Sequence, residues 1–189
     1  MNNITIPWHF TGTRVTEPHT LESADLQYGS GTVRVRTVQI RYFTPNEFQG
    51  FWALMDKSLL ALLDEFRHRW GAPVRISPAQ GAVGRTYGSG FHNYRKHGSV
   101  KAVDVFPEGL RTKEDYDRAR EILVAVKGDL GIPDIGIGLY PDWKPAPGLH
   151  IDVGDRGKDD GIGEWSGLAT GPNGEQQYFS ITDGRNALD

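Results

Sequence analysis

With 189 residues, 38% of them hydrophobic and 11% aromatic, the chain has material for one domain around a single core. Its formal charge of -3 includes no basic block, which argues against a nucleic-acid partner, and no apolar run approaches the ~18 residues of a membrane helix. Cysteine is absent, so disulfides, thiolate metal ligands and a cysteine nucleophile are excluded, and a transition-metal site must use histidine and carboxylate.

The N-terminal stretch MNNITIPWHFTGTR has neither a basic n-region nor an apolar h-region. The expected setting is therefore a cytoplasm, unless something other than a signal peptide exports the chain. Residues 1–43 read as strands and loops. In VRVRTVQIRYF (33–43), Val33, Val35, Val38, Ile40 and Tyr42 alternate imperfectly with Arg34, Arg36, Gln39 and Arg41, with a slip near Thr37. Thr44, Pro45 and Glu47 then supply an N-cap, a first-position proline and the Glu of a capping box. Phe48, Phe51, Trp52, Met55, Leu59, Leu62, Leu63, Phe66 and Trp70 follow as the stripe of one long helix, ended by Gly71 and Pro73. His68, between Arg67 and Arg69, reads as a solvated surface residue.

VRIS (74–77) is a short strand, and the Gly-rich PAQGAVGRTYGSGFHN (78–93) is a loop of a length that is often functional. SVKAVDVF (99–106) is a strand with Val100, Ala102, Asp104 and Phe106 on one face. A second capped helix starts at Thr112 with Asp115, carries Tyr116, Ala119, Ile122, Leu123 and Val126 inward, and stops at Gly128. IGIGLYP (135–141), LHIDV (149–153) and QYFSIT (177–182) complete the strands. This order predicts an α+β domain, a mostly antiparallel sheet packed by two main helices, with residues 1–43 part of the same domain.

Asp104 is a carboxylate inside an apolar strand, flanked by Ala102, Val103, Val105 and Phe106, and burying it demands a cation or several donors. An arginine salt bridge would satisfy it, and so would a metal. His150 repeats the pattern between Leu149 and Ile151, two residues before Asp152 on the same strand face. A histidine also lies upstream of Asp104, either His97, seven residues before it, or His92, twelve before it in GSGFHN. Two histidines and an aspartate, with no cysteine, make the three-ligand set of a catalytic zinc with its fourth position open.

The pattern H97-x6-D104 with Ala102 two before the Asp, and a lone strand histidine about fifty residues on, resembles the zinc D-Ala-D-Ala peptidases of family M15. That family includes carboxypeptidases, dipeptidases and phage endolysins, and shares its fold with the Hedgehog signalling domain. GIGLYP followed by GLHIDVGDRG and a tryptophan resembles a branch of murein peptidases, and the likeness spans roughly residues 74–165. It implies a Hedgehog/DD-peptidase-like fold and Zn2+ held by His97 or His92, Asp104 and His150. Some phage-encoded members carry the ligand in a serine-rich loop ending in H-N, with a tryptophan at the place of His97, so both histidines stand as candidates.

This chain departs from the family in four places. Val100 replaces a usual glycine, Arg95 a usual serine, and Pro147 stands where a Glu or Asp general base is usual. Asp152 or Asp142 would have to be the base, or Asp152 would orient a ligand. Where relatives show S-G-x-R after the strand matching VRIS, this chain has Ser77-Pro78-Ala79-Gln80. Gln80 is then a candidate oxyanion donor and Arg85 a candidate charge on the substrate. The implied activity is hydrolysis of peptidoglycan peptides by a phage lysin or virion-associated lysin. Such a protein would be made in the host cytoplasm and act on the cell wall, with phage tail or virion proteins as possible partners. A phage binding module that keeps the fold without hydrolysis is the second expectation.

Overall fold

The structure is a computed structural model that describes residues 2–7, 20–28, 31–171 and 175–188. Strands β1 (Asn2–Pro7), β2 (Thr20–Tyr28) and β3 (Gly31–Ile40) form an antiparallel sheet in the order β1-β3-β2. The slip expected near Thr37 is not in β3, which pairs with β1 in unbroken register there. The irregularity is in β2, where Thr20 pairs with Val38 and Glu22 with Thr37, leaving Leu21 extra. After β3 the chain turns into the core at Ile40 and Phe43. There Asp64, almost fully buried, accepts the backbone N–H groups of Arg41, Tyr42 and Phe43 at 3.0, 2.7 and 3.0 Å.

The long helix expected from Thr44 to Trp70 is broken. The capping box forms, with Glu47 accepting the Thr44 N–H at 2.9 Å, but it caps a single 3-10 turn, Pro45–Phe48. Gln49 and Gly50 adopt positive φ (52° and 84°), which ends the turn, and Asp56 then caps a new helix through the Ser58 N–H. That helix, α1 (Lys57–Trp70), keeps the apolar stripe: Leu59, Leu62, Leu63 and Phe66 have no exposed surface.

The second sheet has six strands: β4 (Val74–Ile76), β5 (Ala102–Pro107), β6 (Ile135–Tyr140), β7 (Gly148–Asp152), β8 (Ile162–Leu168) and β9 (Gln177–Phe179). Their order is β4-β5-β7-β6-β8-β9, antiparallel except for the parallel pair β6–β8. Val103, Val105, Ile135, Ile137, Leu139, Leu149 and Ile151 are fully buried in one core with α1 and α3 (Lys113–Leu130). Period-2 alternation then sends Asp104, His150 and Asp152 to the opposite face.

Three expectations need correction. α3 runs through Gly128, an interior glycine that costs only ~1 kcal/mol, and ends at Gly131 in the left-handed conformation (φ 65°). The strand expected over 177–182 stops at Phe179. Ser180 accepts the Asp183 N–H and caps a short helix, α4 (Ile181–Asn186). β8 was not anticipated, because its Gly-rich surroundings hide a strand whose pairing comes from β6.

Candidate metal centre

The sheet register lines up two rows of residues on the open face. Asp104, His150, Gly138 and Trp165 face one another across β5, β7, β6 and β8. Two residues along each strand, Ala102, Asp152, Gly136 and Gly163 form the second row. The sequence I-G-I-G on β6 therefore has a specific use: its isoleucines fill the core while its glycines form the floor of the site. A Cβ at Gly138 would stand 2.7 Å from the Trp165 ring.

His92 reaches this row from the long loop, which is tied to β5 by main-chain bonds Asp104 N–H to Ala82 O (2.9 Å) and Lys101 N–H to Phe91 O (3.0 Å). His92 is 4% exposed and its Nδ1 lies 3.0 Å from the Val83 carbonyl, which can only accept, so Nδ1 carries the proton. On His150, Nε2 lies 3.0 Å from Asp152 Oδ2. Both imidazoles thus donate outward, and His92 Nε2 and His150 Nδ1 turn toward Asp104 Oδ1.

The three inward atoms are separated by 3.2 Å (His92 to His150), 3.0 Å (His150 to Asp104) and 3.5 Å (His92 to Asp104). Ligands bonded tetrahedrally at ~2.0–2.1 Å would stand about 3.3 Å apart. Three acceptors at these distances need a cation between them, and this His92–Asp104–His150 group could hold a metal ion. Without a metal the cation is a proton. Burial alone would lower the His150 pKa, but hydrogen bonds to Asp104 and Asp152 carry it up to about 9. Burial alone would raise Asp104, but hydrogen bonds from His150 and His92 bring it down to about 2.

His97, the other candidate ligand, is not in this group. It ends a one-turn helix, α2 (Tyr94–His97), with Nε2 at 3.1 Å from the Ser89 carbonyl and its ring against Phe91. Asp152 lies behind His150, with no exposed surface and both oxygens engaged: Oδ1 by the Gly154 N–H at 2.9 Å, Oδ2 by His150 and Arg156. Burial opposes its ionisation, yet His150 and Arg156 hold its pKa below the ordinary value. Of the two roles expected for Asp152, that placement suits a carboxylate that orients a ligand. Asp142 is turned to the Ala169 N–H. Gln80 is exposed on the loop and does not line the cleft over the site, whereas Arg85 does.

That cleft has a volume of about 510 Å³, and its walls include Arg85, Phe91, Tyr140, Trp143, Arg156 and Trp165. Trp165 lies 5.3 Å from the His150 ring and donates its indole N–H to the Tyr140 hydroxyl at 3.2 Å. Tyr140 stacks on Trp143 at 3.9 Å, and burial pushes its pKa above the usual tyrosine range. Arg156, Tyr140, Gly136 and Gly138 lie in the stretches GIGLYP and GLHIDVGDRG that carry the resemblance, but were assigned no role in the site from sequence. Only the glycines had a legible signal, their alternation on one strand face. Compared with protein-family models, curated proteins and solved structures, the chain matches none.

Proposed function

We propose that this chain is a zinc-dependent peptidase acting on peptidoglycan stem or cross-link peptides, in the manner of a phage lysin. The observation that carries the reading is the convergence of His92 Nε2, His150 Nδ1 and Asp104 Oδ1, with each imidazole's other nitrogen already donating. Two imidazoles and one carboxylate suit zinc, and the cleft leaves the fourth position accessible. His92, Asp104 and His150 would hold the zinc, which would supply Lewis-acid polarisation of a carbonyl and activation of water.

The chain's own groups do the rest. Asp152 fixes the His150 tautomer. The Tyr140–Trp143 stack forms one wall, and a peptide lying against it excludes water from the reacting bond. Arg85 brings a positive charge into the cleft, where an oxyanion or a substrate carboxylate would meet it. Tyr140 accepts from Trp165, meets Tyr178 through its hydroxyl, and stays protonated at neutral pH.

A second reading, a wall-binding module without hydrolysis, draws on a specific feature. Pro147 stands where the resembled family has its base. Among the described residues that line the cleft the only carboxylates are Asp104 and Asp152, and both are committed. The test is incubation of the zinc-saturated full chain with purified murein and synthetic stem peptides. Release of peptide fragments, abolished by a chelator and restored by zinc, is expected. Binding to murein without any release would establish the second reading instead.

A further inference from the structure

Arg156 lies four residues beyond Asp152, after β7 has ended, yet its guanidinium returns across the sheet to the Asp152 carboxylate. It can do so because the second row of the site is built from small residues. A Cβ at Gly136 would collide with the guanidinium, and one at Gly163 would press on the Arg156 stem at 3.0 Å. Two aromatic faces bracket the group: Phe91 from the long loop at 5.2 Å and Trp165 from β8 at 5.1 Å. A buried ion pair of this kind is weak evidence for stability, since desolvation offsets most of its attraction. Its geometry points to another use. Asp152 Oδ2 is shared between Arg156 and His150 Nε2, so the arginine fixes the oxygen that fixes the imidazole.

We infer that Arg156 is a positioning residue for the metal: by neutralising and orienting Asp152, it holds His150 with Nδ1 aimed at Asp104 and His92, and metal affinity depends on it. This rests on the reading that His92, Asp104 and His150 bind zinc. The planar guanidinium fills the slot between Phe91 and Trp165 and pairs with the carboxylate at the same time, which a lysine ammonium does not.

The test is zinc affinity, by competition with a chromophoric chelator, for the wild-type full chain, Arg156→Met, Arg156→Lys, Asp152→Asn and the double variant Arg156→Met/Asp152→Asn. Melting curves in chelator restrict the comparison to folded proteins; should Arg156→Met not fold, Arg156→Lys takes its place in the comparison and in the double variant. Arg156→Met and Asp152→Asn should each weaken zinc binding ~10–100-fold. Arg156→Lys should fall between wild type and Arg156→Met. In the Asp152→Asn background the arginine change should alter affinity by less than about twofold, because the path through Asp152 is already cut. Unchanged affinity in both arginine variants would overturn the inference alone. So would an equal loss in the two backgrounds, which is what general loosening of the fold produces. A wild-type protein that binds no zinc would overturn this inference and the metal reading together.

Discussion

Two carboxylates meet His150, Asp104 at Nδ1 and Asp152 at Nε2, each at 3.0 Å, and this makes the imidazole a strong base in the absence of metal. Its pKa is raised from 6.5 to about 9, so its contribution to stability is complete below pH 6.5 and fades as pH rises through 9. Asp104, lowered from 3.8 to about 2, contributes above pH 3.8 and loses that contribution as pH falls toward 2. Zinc needs the neutral imidazole, so binding must expel a proton at neutral pH. Apparent zinc affinity should rise about tenfold per pH unit between roughly pH 7 and 9. Calorimetry at pH 7 in two buffers of different ionisation heat should register about one proton released per zinc. Zero release would contradict a protonated His150 in the metal-free protein at pH 7. Asp104 and His150 were legible in the sequence because a polar side chain inside an apolar strand needs a partner. The choice between His92 and His97 was not. Asn93 caps α2 through the Arg95 and Lys96 N–H groups, and His97 at the end of that turn lies against the Ser89 carbonyl, a contact that local sequence does not announce.

At the scale of elements, strand β6 couples the core to the site. Ile135, Ile137 and Leu139 are fully buried, while Gly136 and Gly138 leave room above the sheet for Arg156 and Trp165. Gly138→Val should lower stability by ~1–3 kcal/mol, the cost of overpacking. It should also shift tryptophan emission as Trp165 is displaced from His150. Unchanged melting temperature and emission would show that Trp165 does not lie over Gly138. The other elements divide by where their determinants lie. The stripe of α1, the Thr112–Asp115 cap of α3 and the alternation of β6 are local, and each could be read directly. The break before α1 turns on a left-handed Gln49, which no residue type announces. β8 exists because β6 offers it a parallel partner, a long-range contact that local pattern does not carry.

For the whole molecule, the six-stranded sheet separates two environments. One face is sealed by α1 and α3. The other gathers a loop histidine, two strand residues and the cleft walls into a single rim. Of this, the α+β class, the antiparallel majority of the sheet and the two main helices were readable in advance. The folding of the long loop onto β5 was not. A metal held by His92, Asp104 and His150 would tie that loop to two strands, so binding should stabilise the native state, by about 2.7 kcal/mol at a hundredfold excess over Kd. The most direct test of the account is the zinc content of the purified full chain, after exposure to zinc at neutral pH, beside His92→Ala, His97→Ala, Asp104→Ala and His150→Ala. It predicts one zinc per chain in wild type and in His97→Ala, and loss of zinc in the other three. Wild-type protein that takes up no zinc, or a site lost in His97→Ala but kept in His92→Ala, would contradict it.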